Sequence, residues 1–191
     1  MSLVPAFELG LWNAWIFVLL GLLVGPVVGS LIDKEAMKKA HVRPPYSKTE
    51  EITERVFTLL WIASMVYSIF LPLKLGTAWF YVGLPICFLA LVMNLMAGVA
   101  FATTALDEPV TKGVYRISRH PADFGGFLLY VGIGIACASW IFLLCAVLWI
   151  SLFHIVLPTE ERFCLEKYGD AYREYMNRTP RWIGMPKSGA K

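Results

Sequence analysis

Residues 124–159 read FGGFLLYVGIGIACASWIFLLCAVLWISLFHIVLPT, 36 positions without a charge, and they end against the acid pair Glu160-Glu161. A membrane-crossing helix needs about 20 residues, so this stretch is too long for one span and slightly short for two full ones. A helical hairpin turning near Ser139-Trp140 fits best, and it returns the chain to the side it left. Working outward, Leu9–Ile32 is charge-free for 24 residues, Val56–Leu73 for 18 and Leu75–Leu106 for 32. The first and second read as single spans. The third exceeds one span, with Gly83 and Pro85 marking an irregular start and Thr103-Thr104 overhanging into water. The expected fold is all-α, an integral membrane bundle of about five transmembrane helices whose last two form the hairpin. Gly21, Gly25 and Gly29 recur every fourth residue on the first span, a small-residue face suited to close helix packing, though glycine is also simply tolerated in lipid.

Composition supports this reading. Of 191 residues, 58% are hydrophobic and 16% charged, with a mean hydropathy of +0.62, against about 45–50% and 25% in soluble domains. Ordinary soluble enzymes, disordered chains, collagens and nucleic-acid binders are excluded together. Net charge is only +3, but its placement is one-sided: 16 of the 17 Lys and Arg follow the first span, the third span or the hairpin, and Lys74 alone lies opposite, where it can snorkel. The positive-inside rule then puts the N-terminus outside and the segments 33–55, 107–123 and the C-terminal tail in the cytoplasm. Without a basic n-region, and with a first apolar run too long for a signal peptide, residue 1 is expected in the mature protein. The organisation is one membrane domain over 1–191: a three-helix part at 1–106, a core at 107–182 and a tail at 183–191. The four cysteines form no CxxC pair and no grouping with His, so no disulfide framework or metal site is indicated.

Any chemistry must be assembled from the cytoplasmic segments. Asp107 to Pro121 is the densest, with Gly113 permitting a turn and Pro121 opening the next helix, so that Arg119 and His120 are held at the membrane face. Glu160 and Glu161 return to the same mouth, where two adjacent carboxylates demand a cationic partner. A basic loop touching anionic lipid and a salt-bridged helix end would account for these pieces separately. Their convergence points instead to a site. Beyond the acids, Phe163, Leu165, Tyr168, Tyr172 and Tyr175 recur at mostly helical spacing among charges, an amphipathic cytoplasmic helix with Gly169 as a break, serving either to anchor the chain or to cover a bound cofactor. Trp182 closes the tail at the interface.

Gly113-Val114-Tyr115-Arg116-Ile117-Ser118-Arg119-His120-Pro121, the charge-poor hairpin, Glu160-Glu161, Tyr168-Gly169-Asp170-Ala171-Tyr172 and Arg178-Thr179-Pro180 together resemble the isoprenylcysteine carboxyl methyltransferase and phospholipid methyltransferase superfamily of integral membrane enzymes. The resemblance covers about 80 residues, Asp107 to Trp182; the first hundred match only in hydropathy. It implies S-adenosyl-L-methionine as methyl donor and a lipophilic small molecule, lipid or lipidated acceptor entering from the bilayer. By position it implies a cofactor pocket of Pro109, Val110, Tyr115, Arg119, His120, Pro121, Glu160 and Glu161. Methyl transfer is an in-line displacement that needs no metal and no covalent enzyme intermediate, so alignment in a dry site supplies much of the rate. Glu161 and His120 are the candidate catalytic groups, to accept a proton from a thiol, amine or alcohol acceptor; a carboxylate acceptor needs no base.

Two positions depart from the pattern. Asp123 stands where the family often has an aromatic residue, and Val156 where carboxyl methyltransferases carry an Arg four residues before the first acid. Losing that Arg removes the natural partner of a substrate carboxylate and points away from a prenylated cysteine as acceptor. Asp123 and His154 are the candidate substrate contacts, His154 replacing part of the polar function. Two other classes remain: a membrane sterol reductase, which shares a similar Arg-His-Pro segment and acid pair but would bind NADPH, and a non-enzymatic lipid-binding module. Nothing in the sequence points to nucleic acid or sets the oligomeric state.

Overall fold

The computed structural model describes residues 8–30, 44–105 and 107–184. The basic residues Lys34, Lys38, Lys39, Arg43, Lys187 and Lys191, and the ends of the first and third charge-free stretches at Ile32 and Leu106, lie outside the described residues. Six α-helices are present among the described residues: α1 Trp15–Ser30, α2 Lys48–Ile69, α3 Ala78–Ala102, α4 Pro121–Ala136, α5 Trp140–Tyr168 and α6 Asp170–Arg178, with a 3-10 turn at Gly113–Arg116. No named strand occurs among them. Three helices, α2, α3 and α5, are long and apolar enough to cross a membrane; α1 and α4 are shorter apolar helices.

The helix ends follow local chemistry more closely than hydropathy does. α2 begins eight residues before the charge-free stretch, because Ser47 and Glu50 form a reciprocal capping box that satisfies backbone N–H groups at its start. α1 starts only at Trp15, since the preceding segment is spent on tertiary hydrogen bonds. The Asn13 carboxamide donates to the Glu8 and Ile69 carbonyls at 2.6 and 2.7 Å, and Ala14 N–H to Leu71 O at 2.9 Å. Gly83 and Pro85 lie inside α3, which starts at a Thr77 cap, so the expected irregular start is corrected. Pro121 opens α4, where its missing N–H would have had no partner. α4 and α5 are separated by residues 137–139 and run antiparallel: Gly134 abuts Leu143 and Gly126 abuts Trp149. Gly169, with φ +57°, ends α5 and lets α6 turn away.

The close helix contact lies elsewhere than expected. A Cβ on Gly83 would fall 2.6 Å from the Gly132 carbonyl oxygen, and one on Gly132 would fall 2.8 Å from Cys87 N, so α3 and α4 pack backbone to backbone. Cys87, Ala90, Ile133 and Ala136 complete this seam. On α1, by contrast, a Cβ on Gly25 or Gly29 would meet nothing within 4 Å, and Gly21 meets only the tips of Leu129 and Leu91. The α1 glycines therefore leave a space rather than make a tight contact.

The bundle has two unlike ends. At one, the chain before α1, the α2–α3 link and the end of α4 are tied together by Leu73 N–H to Trp12 O and Lys74 N–H to Ala136 O, each 3.0 Å. At the other converge residues 44–50, 107–123 and 160–184. There the Tyr46 hydroxyl donates to Glu160 at 3.1 Å, Thr159 bonds Glu50, and Arg119 N–H donates to Pro180 O at 3.0 Å.

Candidate functional site

At this charged end the chain after α3 turns through Gly113, whose φ of +61° suits glycine, and runs through the 3-10 turn into α4. The Tyr175 hydroxyl of α6 donates to the Tyr115 and Ser118 carbonyls at 2.7 and 3.3 Å, which clamps α6 over that turn. Tyr172 and Tyr175 are buried while Arg173, Glu174, Asn177 and Arg178 are exposed, so α6 is amphipathic as its sequence suggests.

Between these segments lies a cavity of about 220 Å³. Pro109, Val110, Tyr115, Arg119, His120 and Glu160 line it, together with Asp123, Cys164 and the tyrosines 168, 172 and 175. Six of the eight residues read as a cofactor pocket thus surround one space. Pro121 and Glu161 do not line it: Pro121 is buried at the start of α4, and Glu161, 3% exposed, lies behind the wall.

Glu161 is the centre of an ion cluster. The Arg119 guanidinium approaches it at 3.0 Å, Arg181 Nε donates to it at 3.0 Å while the Arg181 terminal nitrogen takes the other oxygen, and His120 Nε2 lies 3.2 Å away. Burial opposes the charge of Glu161, but hydrogen bonds from His120 and Arg181 and the charge of Arg119 outweigh it and hold the carboxyl well below the usual carboxylate range. Burial likewise works against a charged His120, yet hydrogen bonds to Asp123 and Glu161 and the charges of Asp123 and Glu160 raise it to about 9. At neutral pH the cluster is an imidazolium and a carboxylate, each committed to the other. Glu161 lies on the charged end of α5, residues 160–168, beyond the charge-free stretch that ends at Thr159.

Glu160 differs. It is half-buried on the cavity wall, and burial first, then Asp123, pushes its carboxyl up to about 7 despite His120 and the Tyr46 hydroxyl. Arg119 also has something to offer: its Nε is buried without a hydrogen-bond partner among the described residues, although its other nitrogens reach Glu161 and Met176 O. The cavity wall therefore combines the Arg119 guanidinium, a carboxyl that a bound cation would ionise, and a row of aromatic rings.

A second, larger cavity of about 550 Å³ lies deeper between α1, α2, α3 and α4. Its lining is overwhelmingly apolar and includes Gly21, Gly25 and Gly29. Phe101, Tyr115 and Ala122 line both cavities, so the charged pocket and the apolar one adjoin at these residues.

His154, read as a substrate contact, is brought to neither cavity. It is exposed on α5, its Nδ1 lies 2.8 Å from the Ile150 carbonyl, and its ring lies 5.4 Å from that of Trp182. Asp123 does line the smaller cavity, 3.6 Å from His120 Nδ1. Val156 is 2% exposed and enters core packing. Sequence reasoning missed Arg181 as the main partner of Glu161, and Tyr46. Arg181 directly follows the Arg178-Thr179-Pro180 motif, but only the fold shows that the tail returns to α5.

The phospholipid methyltransferase family model matches residues 73–171 of the chain. The protein-S-isoprenylcysteine O-methyltransferase of Schizosaccharomyces pombe is 32% identical over 76 residues, covering 39% of this chain and 32% of the relative. The enzyme of the same name from Dictyostelium discoideum is 30% identical over 88 residues, covering 40% and 32%. The chain thus covers about a third of the length of these curated relatives. With three helices suited to crossing a bilayer and relatives of this kind, it is a multi-pass membrane protein.

Proposed function

Because this chain belongs to the phospholipid methyltransferase family, we propose that it transfers a methyl group from S-adenosyl-L-methionine to a lipophilic acceptor held within the membrane. The observation that carries the reading is the pair of adjoining cavities: a charged one at the mouth and an apolar one in the bundle, sharing Phe101, Tyr115 and Ala122. A polar donor and a greasy acceptor could meet only at such a boundary. The two relatives named for O-methylation of isoprenylcysteine support a lipid-bearing acceptor.

The charged cavity fits the cofactor on its own chemistry. The orphaned Nε–H of Arg119 would bind the methionine carboxylate, where a charge-assisted hydrogen bond is strong. Glu160 would take the ammonium or the ribose hydroxyls, and the tyrosine wall the adenine. When bound, the cofactor supplies an electrophilic methyl on a sulfonium. Glu161 and His120 serve this arrangement by position: Glu161 holds Arg119 and Arg181 in place, and His120 fixes the start of α4. Neither is free to act as a base at neutral pH, so an acceptor that is already anionic, such as a carboxylate, suits the site. α1 to α5 are read as five crossings with the N-terminus outside and the charged end in the cytoplasm, the side on which the basic residues gather.

Titration calorimetry of the purified protein with S-adenosylmethionine and with NADPH tests this directly. Binding of the former alone is expected, with Arg119→Ala and Glu160→Ala each weakening it by about 1–3 kcal/mol. NADPH binding in its place would support the sterol reductase class, and unaltered affinity in both variants would remove the pocket from consideration. Mass spectrometry of lipids and thiols incubated with an isotopically labelled methyl donor would then identify the acceptor.

A further inference from the structure

Six side chains with hydrogen-bonding groups line the large apolar cavity: Trp61, Ser64, Asn94, Tyr115, Tyr130 and Trp149. Three are already committed. The Ser64 and Tyr130 hydroxyls bond each other, and the Trp149 indole N–H donates to Asp123 O at 3.1 Å. Tyr115 stands at the boundary with the charged cavity. Asn94 is the one carboxamide among them. It sits in the middle of α3, inside an apolar stretch, and its carboxamide makes no hydrogen bond with the described residues. A polar group placed at membrane depth without a partner is unfavourable and marks a functional position.

Its surroundings are built to admit it. The Asn94 carboxamide lies against the bare backbone of Gly125, where a Cβ would fall 2.7 Å from Oδ1. Any larger residue at 125 would displace the amide. Gly125 is three residues along α4 from Ala122, which lines both cavities. At about 1.5 Å per residue the amide lies about one helical turn inside the boundary. A ligand whose reacting atom sat at Ala122 and Tyr115 would bring the polar atoms next to that atom alongside Asn94, and would run its hydrocarbon on toward the α1 glycines.

The geometry points to Asn94 as the residue that selects and aligns the acceptor's head group: its carboxamide N–H donates to a carboxylate or amide oxygen beside the atom that is methylated. The acceptor class is therefore an amphiphile with a carbonyl-type head, and a simple lipophilic thiol is selected against. This rests on the methyl-transfer reading for the placement of the reacting atom.

Binding, measured without the methyl donor, keeps the two readings separable. The full-length protein in lipid nanodiscs is titrated with an N-acylated S-prenyl cysteine bearing a free carboxylate, and with an alkanethiol of matched tail length. The wild type is expected to prefer the carboxylate amphiphile by about tenfold or more, the worth of one hydrogen bond to a charged group. Asn94→Leu, nearly isosteric, and Asn94→Ala, which adds no bulk beside Gly125, should each bring the ratio close to one while leaving thiol and S-adenosylmethionine affinities unchanged. Absence of the preference in the wild type, or its persistence in either folded variant, would overturn the assignment. Failure of the methyl-transfer reading would show itself separately, as a wild type that binds the amphiphile but not the methyl donor.

Discussion

Glu160 and Glu161 are adjacent in the chain and opposite in environment. A single step of about 100° around α5 leaves Glu160 on the cavity wall, where burial lifts its carboxyl to about 7, and carries Glu161 into a nest of two arginines and a histidine. Removing Glu161 would leave three cationic groups facing one another. Glu161→Ala is therefore expected to destabilise the protein by about 3 kcal/mol or more, read from thermal unfolding in detergent. The His120 pairing gives stability its alkaline limit. Because folding raises His120 from an ordinary 6.5 to about 9, the gain is fully present below pH 6.5 and is lost as pH rises through about 9. Melting temperature should fall across that interval, and His120→Gln should flatten the dependence. A melting temperature that held steady through pH 9 would show that His120 is neutral in the folded protein. That the acid pair and His120 come together was legible from their types and spacing. Their division of labour was not, because it depends on Arg181 arriving from the tail.

At the scale of elements, the glycines divide by what their missing side chains permit. Gly83 and Gly132 let the α3 and α4 backbones meet, whereas Gly25 opens onto the large cavity. Gly83→Val is expected to lower stability by about 2–3 kcal/mol through overpacking against backbone that cannot yield. Gly25→Ala should leave the melting temperature intact. Equal sensitivity at the two positions would refute the distinction. Every-fourth-residue spacing on α1 suggested a packing face; the three glycines do share one face, but it borders the large cavity, because periodicity records only that residues share a face. What lies opposite that face is a tertiary fact. Helix boundaries show the same limit: charge-free runs located every apolar helix, while capping at Ser47 and Thr77 set where α2 and α3 begin.

The whole molecule is organised by the difference between its ends. Contacts among residues 44–50, 107–123 and 160–184 gather the polar chemistry at one end, and the α2–α3 link lies at the other. In a background with the four native cysteines replaced by alanine, Lys112→Cys and Asn177→Cys should react with an impermeant thiol reagent from the same face of a sealed vesicle, and Leu75→Cys from the opposite face. Labelling of all three from one face would contradict the five-crossing arrangement.

By itself the sequence determined that this chain is a helical membrane protein, roughly where its apolar helices lie, and which charged residues gather at one end of the bundle. Hydrocarbon tolerates few charges, so charge-free length and one-sided basic residues are written directly in the order of amino acids. Only the tertiary structure decided that Pro109 and Val110 line one cavity with the tyrosines of α6, that Glu161 is saturated by Arg119, His120 and Arg181, that His154 lines neither cavity, and that Asn94 lies over Gly125 with no side-chain hydrogen bond among the described residues. Each of these depends on which side chains from distant segments are brought within hydrogen-bonding distance, and linear spacing carries no record of that.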